Sequence, residues 1–154
     1  MSARDPNCPL CQEDGGAVLW RGPHLRIIEV DDADYPGFTR VIWNGHLAEM
    51  TSLSTHGRDL LMRAVYVVEE TQQAILSPDK VNLASLGNMV PHLHWHVIPR
   101  WCGDRHFPDP IWAAPRIAPG AEPEEWHARQ ARVRSLLPRY RDRLVEAMNA
   151  LLWH

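Results

Sequence analysis

His92-Leu93-His94-Trp95-His96-Val97-Ile98 alternates imidazoles with apolar side chains. Successive residues of a β-strand face opposite sides. A strand here therefore predicts three imidazoles on one face, with Leu93, Trp95 and Val97 in a core on the other. Next-but-one residues lie roughly 6.6 Å apart along a strand, so one ring can reach a substrate while its neighbours hold or polarise it. Three charged imidazoles would repel, and their pKa values near 6.5 would be pushed apart. Such a cluster points to chemistry. Two kinds suit it, nucleophilic or acid–base work and ligation of a metal such as zinc. The bland alternative is a solvated, histidine-rich strand face.

Working outward, Lys80–Ser85 reads as a preceding strand, with Leu86-Gly87-Asn88 as the connection. From Ser54 to Leu76 the apolar residues Leu61, Ala64, Val65, Val68 and Ile75 recur on one helical face, and Pro78 lies just past the end. Val18–Arg21 and Leu25–Asp31 form two strands joined at Gly22-Pro23, and Phe38–Trp43 a third. Asp31–Gly37 (DDADYPG) is a turn cluster. Residues 1–17 are polar and read as a loop. Residues 103–124, rich in proline, read as an irregular but ordered loop. A last helix is expected over Glu124–Trp153, broken or kinked by Pro138. Strands, helix, strands and tail helix predict an α+β fold with a mostly antiparallel five-stranded sheet, a long helix and a C-terminal helix.

The chain has 154 residues, the size of one domain, and 45% apolar content, enough for a core. Its net charge of −3 offers no general field for nucleic acid or an acidic membrane, so neither is expected as a partner. No apolar run is long enough to span a bilayer, and the first residues lack a signal-peptide stretch. The expected location is cytoplasmic, where the three cysteines stay reduced. Cys8-Pro9-Leu10-Cys11 has the spacing of half a tetrahedral zinc site and needs two more ligands. A metal-free thiol pair and a redox motif are the alternatives, although a redox C-x-x-C belongs to a βαβ pattern absent here. Cys102 is expected to be a buried or inert thiol. No G-x-x-x-x-G-K-[ST] loop is present, which excludes a P-loop enzyme.

The segment His92–Ile98 resembles the motif of the histidine triad family, His-x-His-x-His followed by two apolar residues. Asn82, Gly87-Asn88 and Val90 fall where members carry an Asn or Gln, a Gly-Gln pair and an apolar residue. Val41-Ile42-Trp43-Asn44-Gly45-His46 resembles the family's apolar strand ending in Pro-Lys-x-His, with Trp43-Asn44 in place of Pro-Lys. Asn88 replaces the usual Gln, and the 31–37 turn is a residue short. His106–Trp112 (HFPDPIW) matches no general motif of the family.

The resemblance implies a single domain over 1–154 with the triad-family fold, similar to the diadenosine polyphosphate hydrolase-like bacterial members. It implies a nucleotidyl hydrolase or transferase that attacks an α-phosphorus. His94 is then the nucleophile, with His96 and His92 flanking the phosphate. Asn82, Asn88 and His96 would hold phosphate oxygens, and Asp31 the ribose hydroxyls, although Asn82 and Asp31 also suit turns. Some bacterial members carry a C-x-x-C with two histidines, which maps to Cys8, Cys11, His46 and His92 as a structural zinc site. The implied substrates are a purine nucleotide, a dinucleoside polyphosphate, a phosphoramidate or an adenylylated conjugate. A homodimer through the long helix and a shared sheet is also implied. Two competing readings are a metalloenzyme using the His-x-His strand as ligands and a nucleotide sensor without turnover.

Overall fold

In the computed structural model, which describes residues 3–151 and 153, five strands form one antiparallel sheet. They are β1 (Ala17–Arg21), β2 (Leu25–Glu29), β3 (Thr39–Trp43), β4 (Lys80–Ala84) and β5 (His94–Arg100), in the spatial order β1-β2-β3-β5-β4. The helices are α1 (Pro9–Gln12), a single turn, α2 (Thr55–Leu76) and α3 (Glu124–Asn149). The expected α+β architecture is present.

Register divides the sheet into two faces. Leu25 and Ile27 of β2, Val41 of β3, Val81 of β4 and Val97 of β5 alternate onto the face covered by α2 and α3. There they pack with Leu61, Ala64, Val65 and Val68 of α2 and with Val133, Leu137, Tyr140 and Leu144 of α3. Burial of these side chains is the main stabilising term. Three polar contacts fix the alignment. Gln72 Nε2 donates to the carbonyls of Gly37 (3.0 Å) and Val97 (2.9 Å), and the Tyr140 and Thr39 hydroxyls are 2.6 Å apart. Gly37 adopts φ +90°, and a Cβ there would sit 2.6 Å from Leu76 Cδ1, so the 31–37 turn can approach α2 only with glycine.

The opposite face carries Arg26, Ile28, Arg40, Ile42, His94, His96, Ile98 and Arg100. No helix longer than a turn covers it. The segment around α1 packs Cys8, Leu10 and Cys11 on Ile28 and Ile42, while Tyr35 and Phe38 pack on Ile98. Buried Arg26 pins the α1 segment by donating to the carbonyls of Leu10 (2.7 Å) and Asp14 (3.0 Å). The 101–123 segment is irregular, as expected, and is anchored by Asp104.

Several expectations are corrected. Residues 1–17 contain the α1 turn, started by Pro9 at its first position. β5 begins at His94 rather than His92. Pro91 cannot donate to a ladder, and residue 93 bonds instead to Leu47 and Trp43. β2 ends at Glu29, short of Asp31. α3 runs unbroken through Pro138, because Val133 and Leu137 before it and Tyr140 and Leu144 after it share one buried stripe. α3 ends at Asn149, short of the expected Trp153, and residue 152 of that expectation lies outside the described residues. Cys102 is exposed. Among the described residues no helix is long and apolar enough to cross a membrane.

Candidate active site and metal centre

His94 and His96 share one face of β5 with ring centroids 4.9 Å apart, edge to face. His94 Nδ1 lies 2.6 Å from the carbonyl oxygen of His92. A carbonyl can only accept, so Nδ1 carries the hydrogen and Nε2 keeps its lone pair. The Ser85 hydroxyl donates to the His94 carbonyl at 2.9 Å, bracing the backbone from the far side. Burial, opposed by the His92 carbonyl and reinforced by the nearby Arg40 charge, holds the His94 imidazole below its ordinary pKa. The ring is thus neutral and nucleophilic at pH 7.

His96 receives a hydrogen bond from Arg40 Nε, 3.2 Å from its Nδ1. Burial first, then Arg40 and His94, push its pKa down to about 3. Phe38 and Trp112 pack edge-on to its ring, at 5.8 and 5.1 Å between centroids. His94, His96, Arg40 and Asn88 supply the polar lining of a cavity of about 580 Å³, and Leu10, Val90 and Trp112 supply apolar walls. A second cavity, of about 300 Å³, also reaches His94 and is lined by Thr51 and Ser85. Two concavities meeting at one neutral imidazole suit a substrate with two parts joined at the reacting atom.

His92 turns elsewhere. Its Nδ1 is 3.4 Å from Cys8 Sγ and 3.5 Å from Cys11 Sγ, and its ring lies edge-on to His46 at 5.3 Å. His46 Nδ1 is 3.4 Å from Cys11 Sγ. The four ligand atoms all lie within 4.8 Å of one another, so Cys8, Cys11, His46 and His92 could hold a metal ion. The fit is good. A tetrahedron with ordinary zinc–sulfur and zinc–nitrogen bonds has S···N edges of about 3.5 Å. His92 Nε2 lies 2.6 Å from the Trp43 carbonyl and must donate to it, which leaves Nδ1 free to ligate.

The HIT domain family profile matches residues 12–102, more than half of the chain. The chain belongs to the HIT family. Solved structures agree with that assignment. A histidine triad protein from Bradyrhizobium japonicum is 27% identical, with 80% of this chain and 91% of that one covered at a TM-score of 0.61. A histidine triad (HIT) protein from Sinorhizobium meliloti 1021 is 25% identical, with 80% and 90% covered at 0.60. A histidine triad protein from Marinobacter aquaeolei VT8, at 24% identity, shares the fold, with 82% and 92% covered at 0.60. No curated protein matches the sequence. HIT membership supports nucleotide-binding hydrolase or transferase activity as a general class.

In this HIT chain the remaining candidates are scattered. Asn88 is exposed and lines the larger cavity with His94 and His96. Asn82 is engaged elsewhere, its Oδ1 accepting from Arg100 Nη1 at 2.7 Å. Asp31 is exposed and lines a separate depression beside Arg134 and Arg141 of α3. Sequence reasoning missed Arg40 and Trp112. Arg40 is the one charged residue of β3, a signal that gains meaning only once β3 is paired with β5. Trp112 belongs to the HFPDPIW segment, whose approach to His96 no local pattern encodes.

Proposed function

We propose that this HIT-family protein is a hydrolase or transferase that cleaves the α-phosphate bond of a purine nucleoside polyphosphate, dinucleoside polyphosphate or phosphoramidate through a covalent nucleotidyl-His94. The tautomer of His94 carries the reading, since its Nε2 lone pair belongs to a residue shared by both cavities. Nε2 attacks the α-phosphorus, and the electron pair of the breaking bond leaves with the departing group. Nδ1–H keeps its bond to the His92 carbonyl and stabilises the positive imidazole that forms. Water then attacks the phosphorus and gives up a proton to solvent, and the pair of the breaking P–N bond returns to Nε2. His96 and Asn88 are the donors to the phosphate oxygens, held in place before the reaction begins. His92 acts through its carbonyl, while its ring serves the metal centre. Asp31 and Asn82 are not used in this reading, given their positions. The four Cys and His ligands would hold a structural zinc, which would tie α1 to the sheet without entering the chemistry. A cytoplasmic homodimer joined through α2 and the open edge of β4 completes the proposal.

The test uses α-labelled diadenosine tetraphosphate and adenosine phosphoramidate. The wild-type protein should trap label after a brief acid-free quench, and His94→Ala should trap none while still binding nucleotide. In oxygen-18 water the label should enter the released monophosphate. Label in the departing polyphosphate would overturn the covalent route, and binding without turnover would make the protein a sensor.

A further inference from the structure

Arg40 holds a charge that the fold does not use. The β3–β5 register sets it opposite His96. Among the described residues it makes no ion pair, and its only hydrogen bond runs from Nε to His96 Nδ1 at 3.2 Å. Neither Nη atom has a partner among the described residues. The guanidinium lies over the Phe38 ring at 5.5 Å and lines the larger cavity. Burial destabilises it, and no carboxylate offsets that cost. A half-buried cation whose Nη donors face a cavity shared with His94 is poised for an anion.

The hydrogen bond also fixes the chemistry of its neighbour. Guanidinium has no acceptor, so Arg40 requires a bare Nδ1 on His96. His96 is therefore neutral with its only hydrogen on Nε2. A neutral imidazole N–H can donate a hydrogen bond but is a very weak acid, and protonating Nδ1 would set two N–H groups against each other. Cleavage of a phosphoramidate needs a proton on the departing amine nitrogen. Cleavage of a phosphoanhydride does not, because the bridging oxygen leaves as part of an anionic phosphate chain.

We propose that Arg40 is a specificity-determining residue that selects substrates whose leaving group is a phosphate chain over those whose leaving group is an amine. This rests on the nucleotidyl-His94 reading above. When His94 Nε2 bonds to the α-phosphorus, the bond to the bridging oxygen breaks and its electron pair stays on that oxygen. The Arg40 Nη donors receive the resulting charge, and no proton moves in the step.

The experiment measures kcat/KM of wild type, Arg40→Leu and Arg40→Lys on diadenosine tetraphosphate and on adenosine phosphoramidate. Wild type should favour the polyphosphate. Arg40→Leu should shift that preference about 10- to 100-fold toward the phosphoramidate, as expected for losing a charged hydrogen-bond partner. Arg40→Lys should recover part of it. An equal loss on both substrates would make Arg40 a packing residue on Phe38, and no loss on either would remove it from the site; each outcome overturns the proposal. Nitrogen-15 shifts of His96 should show Nδ1 bare and Nε2 protonated, and the reverse also overturns it. If wild type turns over neither substrate, the nucleotidyl-His94 reading has failed on its own. The anion site is then judged by binding. It stands if Arg40→Leu weakens ATP at least tenfold more than AMP, and falls if both weaken alike.

Discussion

Asp104 is a buried carboxylate that collects donors from three directions. Arg100 grips it through Nε at 2.7 Å and Nη2 at 3.1 Å. The Tyr35 hydroxyl (3.1 Å) and the backbone amides of Trp101, His106 and Phe107 complete the set. Burial alone would raise its pKa, but Arg100 and the amides outweigh that and hold it below the usual carboxylate range. A depressed folded pKa contributes stability that is complete above the unfolded value near 4. That contribution is lost as pH falls from there through the folded value. Acid titration of wild type should show this loss, and Asp104→Asn should flatten it. Asp104→Ala leaves the Arg100 charge buried without its anion and should cost about 3–5 kcal/mol in urea unfolding. Wild-type stability in either variant would contradict this account. Gly37 makes a second case at the same scale. Gly37→Ala combines a left-handed φ with a contact on Leu76 and should cost about 1–3 kcal/mol, read from the same denaturation curves.

Among the elements, the α1 segment joins two candidate metal ligands, Cys8 and Cys11, to Pro9 and Leu10, which line the larger cavity. About one zinc per chain is expected by metal analysis. Cys8→Ser should lose it together with several kcal/mol of stability. Metal-free protein with an unchanged Tm in Cys8→Ser would refute the structural zinc. In α2, Ser54 caps the helix by accepting from the Gly57 amide at 3.1 Å, and Ser54→Ala should cost about 1 kcal/mol. The strands and α2 were legible because their apolar period matches one buried face. His94 and His96 were legible as imidazoles at a fixed spacing and Cys8 and Cys11 as half a metal site, whereas His46 and His92 entered as candidate ligands only through the family resemblance. The turn of His92 away from its neighbours was not legible, because alternation holds only inside a strand, and Pro91 delays the start of β5. Arg40 escaped because its meaning lies in cross-strand register. Local pattern also fails at Pro138, where tertiary packing on both sides keeps α3 continuous.

At the level of the whole molecule, β4 is an edge strand with one unpaired side, and Tyr66 on α2 is half exposed. The proposed homodimer would cover both. Sedimentation equilibrium should give twice the chain mass, and Tyr66→Glu should shift it toward the monomer; a wild-type monomer would end that proposal. The sheet itself divides labour. Its helix-covered face holds most of the apolar core, while the other face holds both histidine sites under short, irregular segments. The backbone of five strands lies between the two sets, which also touch at the rim, where Arg105 lies over Trp126 and Arg129 over Trp101. Under the proposed function, the residues over the histidine face set substrate choice, while the helix-covered face holds most of the packing that keeps the chain folded. The tether of His94, the proposed nucleophile, is safer still. Its acceptor is the main-chain oxygen of residue 92, which every amino acid supplies, so no point mutation there can delete it from the gene.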